Sequence, residues 1–171
     1  MANQDPTTPS LANAEDSHAT KGLIRLTMAC NEQCPFCNVP QEDYSPVTDP
    51  EEKTMGELDM FIARGDKTIT ISGGEPTLLR RRLIRTVERA RAGGISFVEV
   101  QTNAILIDDK YADELASAGV TSAFVSLLSH VPEHHDTLAG LDGAFPKCIA
   151  GIDALLDAGI RVTLNPVTAR I

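Results

Sequence analysis

Basic residues are in short supply in this chain. Its 15 lysines and arginines face 24 aspartates and glutamates, which leaves a net charge of −9 and a pI near 4.8. That balance excludes a broad electrostatic grip on nucleic acid or on an anionic membrane surface. It does not bear on small ligands, because a pocket can be basic locally. No apolar run is long enough to span a bilayer. The N-terminal segment lacks a basic stretch followed by an apolar one, so no secretory signal is expected. Tryptophan is absent and aromatic residues make up 4% of the chain, yet the apolar share of 42% is ordinary. It suffices for one domain with a real core. Cysteine is also scarce: there are four, and three of them fall within eight positions. That distribution excludes a disulfide framework, and a reducing cytoplasm is the expected location.

The three clustered cysteines are Cys30, Cys34 and Cys37, in the run Met28-Ala29-Cys30-Asn31-Glu32-Gln33-Cys34-Pro35-Phe36-Cys37. Cubane iron–sulfur clusters usually take four thiolates. Three would leave one iron open to bind a small molecule and do chemistry on it. The competing reading is structural zinc, which wants a fourth protein ligand. Neither His130, His134, His135 nor Cys148 has a spacing that pairs with the three.

The rest of the sequence alternates between two periods. Residues 1–21 are polar without a period and read as a disordered tail. Residues 22–171 read as one core domain. Strands are expected at 23–28, 68–71, 97–102, 122–127 and 160–165. Helices are expected at 51–64, 78–92, 109–118 and 144–158. Residues 38–50 carry Pro40, Pro46 and Pro50 and read as loop. Such alternation argues for a parallel sheet with helices packed on it, whose chemistry collects at the C-terminal strand ends. Each strand end here carries a suggestive group. The cysteines follow the first strand and Gly73-Gly74-Glu75-Pro76 the second. Gln101-Thr102-Asn103 close the third, Ser126 lies at the end of the fourth and Asn165 at the end of the fifth.

Other residues have blander readings. Cys148 shares helical spacing with Ile152, Leu155 and Leu156 and reads as a buried apolar side chain. Arg80, Arg81, Arg82, Arg85, Arg89 and Arg91 read as the solvated face of a helix. His134 and His135 fall in a polar stretch that reads as a solvated loop.

The CxxxCxxC spacing after the first strand, followed by Gly-Gly-Glu-Pro after the second, resembles the radical S-adenosylmethionine (radical SAM) enzymes. Phe36 matches the aromatic position before the third cysteine, and Thr102-Asn103 and Ser126 match more loosely. The resemblance implies an α/β fold, a partial (βα) TIM-like barrel of parallel strands with outer helices, here without its sixth βα unit. It implies a [4Fe–4S] cluster on Cys30, Cys34 and Cys37, with SAM chelating the fourth iron. Reductive cleavage of SAM would give a 5′-deoxyadenosyl radical that takes hydrogen from a substrate. Around SAM, the resemblance places Phe36 near the adenine. The backbone of Gly73 and Gly74 and the side chain of Glu75, with Pro76 completing the motif, meet the methionine ammonium. Thr102 and Asn103 contribute polar groups, and Ser126 and Asn165 lie by the methionine carboxylate or ribose. It assigns no catalytic side chain. The implied partners are a small-molecule or peptide substrate, as in peptide or natural-product modification, and a reductant such as a flavodoxin or ferredoxin. A partner chain or second copy would complete the barrel. The alternative is an iron–sulfur or SAM-binding module that transfers electrons without complete catalysis.

Overall fold

The structure, a computed structural model, describes residues 21–37 and 50–168. Nearly all of the expected tail and the proline-rich loop therefore lie outside the described residues. The element order is β1 (Lys21–Arg25), α1 (Glu51–Arg64), β2 (Thr68–Ser72), α2 (Arg80–Ala92), β3 (Phe97–Thr102), α3 (Asp109–Ala118), β4 (Ser122–Val125), α4 (Pro132–Ala139), α5 (Ala144–Asp157) and β5 (Arg161–Leu164). All four strand pairings are parallel, and the strands lie side by side in sequence order. This is the expected partial barrel with outer helices.

The strands form because β-branched residues alternate with polar ones, and alternate side chains point to opposite faces. One face carries Ile24, Ile69, Ile71, Val98, Val100 and Val125, which pack against Leu58, Leu83, Leu115 and Leu155 of the helices. Burial of these side chains, at about 1.5–3 kcal/mol each, is what holds helices to sheet. The other face is polar and opens into the barrel. Left-handed glycines at Gly65 and Gly119 end α1 and α3 and send the chain back into the sheet. The Asp108 side chain caps the start of α3 by accepting from the Tyr111 N–H at 2.7 Å.

Several expectations need correction. Lys21, assigned to the tail, opens β1, and β1 and β4 end earlier than expected. The segment 78–92 is not one helix: a 3-10 turn, Pro76–Leu79, precedes α2. Arg82 is buried instead of solvated, and its guanidinium donates to Thr54 Oγ1 and to the Pro50 carbonyl. The His134-His135 stretch is helix α4, not loop. His134 is exposed, but His135 is fully buried with Leu138 and Ala139, which lie three and four residues on, on the same helical face. At the sheet's other end, β5 leaves Leu164 47% exposed.

Candidate functional site

The site begins where β1 ends. Between Thr27 and Cys30 the chain crosses directly over the Gly73-Gly74 pair. Gly74 N–H donates to the Thr27 carbonyl at 2.7 Å, and Glu75 N–H to the Ala29 carbonyl at 2.8 Å. A Cβ on Gly73 would sit 2.3 Å from the Thr27 carbonyl oxygen, and one on Gly74 2.2 Å from that of Ala29. The two glycines are thus required by the backbone that leads into the cysteines, not only by a ligand.

Glu75 is 1% exposed and anchors the next layer. Its Oε1 accepts from Thr77 N–H at 2.9 Å, Thr77 Oγ1 at 2.5 Å and Thr102 Oγ1 at 2.8 Å. Its Oε2 accepts from Asn103 N–H at 2.8 Å. Burial pushes the Glu75 carboxyl up, and these four donors offset part of that rise. The carboxylate that the sequence reading offers to an ammonium group is therefore already committed to the ends of β2 and β3. The network continues into the cysteine loop, because Asn103 Nδ2 donates to Asn31 Oδ1 at 2.8 Å.

The cysteine loop is held from its other side by α4. Gln33 N–H donates to the Ala139 carbonyl at 2.8 Å, and a Cβ on Gly140 would meet the Gln33 carbonyl oxygen at 2.6 Å. Cys30, Cys34 and Cys37 are all free thiols. Burial pushes Cys30 up to about 11, against the Glu32 N–H that its sulfur accepts, and pushes Cys34 up to about 12, with the Glu32 carboxylate adding to the rise at Cys34. Such thiols stay protonated in an empty site and ionise when a metal centre supplies positive charge. Glu32 lies between them and is buried, its Oε2 accepting from Cys34 Sγ at 3.5 Å. Burial lifts its carboxyl to about 7.

The cysteines, Glu32, the two glycines, Glu75, Thr102 and Asn103 open on one cavity of about 420 Å³ at the C-terminal ends of the strands. Its wall includes the three cysteines and, of the residues expected at the cofactor, Phe36, Gly73, Gly74, Glu75, Thr102, Asn103, Ser126 and Asn165. Pro76 is not in the wall: it is buried behind it and opens the 3-10 turn. The sequence reading missed Glu32, Phe124, Leu128 and Val167, which also line the cavity. Phe124 was within reach, because it shares strand parity with Ser126. Leu128 and Val167 were not, as they are brought together by a Val167 N–H to Leu128 carbonyl bond outside any strand.

A profile of the Radical SAM superfamily matches residues 24–170. The chain belongs to the radical SAM superfamily. It is 32% identical to a GTP 3′,8-cyclase of Rhizobium etli over 154 residues, covering 86% of this chain and 43% of the cyclase. It is 28% identical to an AdoMet-dependent heme synthase of Nitratidesulfovibrio vulgaris over 169 residues, covering 96% of this chain and 45% of the synthase. The fold of anSMEcpe with bound AdoMet superposes with a TM-score of 0.68 at 20% identity, covering 84% of this chain and 42% of that one. The chain thus spans less than half the length of the relatives it matches. Radical SAM proteins bind a [4Fe–4S] cluster and SAM. The residues here fit that pair: three free thiols share one cavity wall, and no three Cys, His, Asp or Glu among the described residues converge on a single-ion site.

Proposed function

We propose that Cys30, Cys34 and Cys37 hold a [4Fe–4S] cluster, that SAM occupies the adjoining cavity, and that the chain initiates radical chemistry on a small molecule. One observation carries this reading. The cysteines, the Gly73–Glu75 backbone and the ends of β3 to β5 line the same cavity. When bound, the reduced cluster supplies the electron that splits SAM into methionine and a 5′-deoxyadenosyl radical.

The chain's own residues bind, orient and shield. Carbonyl groups of the Gly73-Gly74 segment accept from the methionine ammonium, since the N–H groups of Gly74 and Glu75 are taken by the Thr27 and Ala29 carbonyls. Ser126 and Asn165, on adjacent strand ends, donate to the methionine carboxylate or the ribose. Phe36 is 42% exposed at the cavity mouth and covers the adenine face. Glu75 acts through Thr102 and Asn103 by fixing the strand ends. Relatives named for GTP and heme favour a small-molecule substrate over a peptide, with GTP the first to try. A flavodoxin or ferredoxin is the reductant expected to serve it.

The deciding experiment is anaerobic reconstitution with iron and sulfide, followed by SAM and dithionite. Release of 5′-deoxyadenosine is expected. A reducible cluster without SAM cleavage would reduce the protein to a cluster-binding module, and zinc in place of iron would remove the reading altogether.

A further inference from the structure

α4 stands apart from the other helices. Among the described helices it alone contributes no side chain to the main core. Its buried apolar residues, Leu138 and Ala139, belong to a small separate cluster with Leu128 and Ala144, and Cys34 of the cysteine loop packs against that cluster. An eight-residue helix is marginal alone, so α4 rests on this cluster and a few polar ties. The Asp136 carboxylate accepts from Gly143 N–H at 2.6 Å and Phe145 N–H at 2.8 Å, which ties α4 to the start of α5. The Ala139 carbonyl accepts from Gln33 N–H at 2.8 Å, which ties it to the cysteine loop.

One group works against the seated helix. The His135 imidazole is fully buried, and neither ring nitrogen has a partner among the described residues. A neutral imidazole carries one N–H donor and one acceptor, and both lose their water when α4 seats. Opening α4 restores that hydration. His135 and Ala139 are four residues apart on one helical face, so the group that favours opening sits one turn from the carbonyl that clasps Gln33. A Cβ on Gly140 would meet the Gln33 carbonyl oxygen at 2.6 Å, so the cysteine loop has no room to shift toward α4 while the helix is seated. A cluster on the three thiols would hold the loop from its other side and keep Gln33 N–H on the Ala139 carbonyl. Loading and seating then favour each other.

We propose that α4 is a latch on the cluster site: its local opening frees the cysteine loop to take up or release iron and sulfide, its seating locks the loaded loop, and the unpaired His135 imidazole keeps the latch openable. The proposal rests on the cluster-binding reading of the three cysteines and adds the element that controls their occupancy.

The test is amide deuterium exchange on the full chain, anaerobic and without reductant, in the apoprotein and after cluster loading. In the apoprotein, α4 amides are expected to exchange at least about tenfold faster than those of α3, which is anchored in the main core through Tyr111, Ala112 and Leu115. Cluster loading should slow α4 and leave α3 unchanged. His135→Leu should slow α4 exchange in the apoprotein by about tenfold, the scale of one unpaired buried polar group, and slow the loss of iron from the loaded chain to a ferrous chelator. Gly140→Ala, whose Cβ would push Gln33 away, should speed both. Exchange in α3 reports whether each variant has kept the rest of its fold, and the comparison of apo and loaded wild-type protein needs no variant. Exchange in α4 no faster than in α3, exchange in α4 unmoved by the cluster, or His135→Leu leaving both α4 exchange and iron loss unchanged would overturn the proposal. Failure of the underlying reading would show instead as reconstitution that yields no iron–sulfur absorption band, with α4 of the apoprotein still exchanging ahead of α3.

Discussion

Asn103 donates its side-chain amide to Asn31 Oδ1 at 2.8 Å while its backbone N–H donates to Glu75 Oε2 at the same distance. A single residue at the end of β3 thereby joins the glutamate that follows β2 to the residue beside the first cysteine. Asn103→Ala removes the link to Asn31 and leaves Glu75 bound. A loss of about 1–2 kcal/mol is expected, the cost of an unpaired, partly buried acceptor. Urea unfolding of the apoprotein measures that loss, and iron per chain, which should fall, shows whether the bond also shapes the loop.

Glu75→Ala should be far more damaging. Four donors lose their acceptor in a fully buried site, and a loss of about 3–5 kcal/mol is expected. Glu75→Gln keeps the volume but turns an NH₂ group toward a donor, so it should recover only part of the stability. Full recovery in the urea midpoint would mean that the carboxylate is bound in its neutral form.

The glycines give an opposed pair of expectations. A Cβ on Gly74 would lie 2.2 Å from the Ala29 carbonyl oxygen and 2.5 Å from that of Met28, and backbone cannot swing aside as a side chain can. Gly74→Ala should displace the cysteine loop, with poor iron retention and a lowered unfolding midpoint. Gly56 lies inside α1 with nothing near its missing Cβ. Gly56→Ala should raise stability by about 0.5–1 kcal/mol and leave iron content alone.

Iron content also separates the cysteines. Replacing Cys30, Cys34 or Cys37 singly with Ala should abolish cluster retention, seen as loss of the visible absorption band after anaerobic reconstitution. Cys148 is fully buried on α5, away from the cavity wall, and Cys148→Ala should retain the band. Equal loss in all four would reassign the ligands.

His135 supplies a pH dependence. It is fully buried, edge-on to Phe145 with ring centroids 5.6 Å apart, and neither ring nitrogen has a hydrogen-bond partner among the described residues. Burial therefore holds its pKa below the usual 6.5. The unfolded chain takes up a proton as pH falls through 6.5 while the folded chain does not, so stability is complete above that pH and declines below it. Asp136, held below 3.8 chiefly by accepting from the Phe145 N–H, adds a further loss only at more acidic pH. His135→Phe should remove this loss, so that between about pH 7 and 5 the urea midpoint follows the opposite trend of Glu32, whose lifted carboxyl takes up a proton in the folded chain first, and the acidic limb should stay intact.

Most of the sheet was legible because its strands alternate apolar and polar residues between glycine-stopped helices. α3 and β3 fall on their expected residues, since Asp108, Gly119 and the valines of β3 give sharp local signals. α4 was not legible. It is eight residues long, and its buried face includes a histidine, which reads as polar in sequence. Arg82 misled in the same way, because its burial depends on Thr54 and Pro50 of another segment. At the site, residue identities pointed to the right cavity, but the division of labour did not follow from them. That Glu75 serves Thr77, Thr102 and Asn103 is a matter of distance between strand ends, and no spacing in the sequence encodes it.

The supports of the cysteine loop have a consequence for the order of events during synthesis. The cysteines leave the ribosome before the residues that hold their loop, at 74–75, 103 and 139–140, which follow over the next hundred or so positions. Until Ala139 and Gly140 arrive, the three thiols sit on an unclasped strand end. Metal loading in the native geometry therefore waits for the fourth βα unit. In a chain stalled before that point the same thiols would be open to oxidation and to stray metal ions.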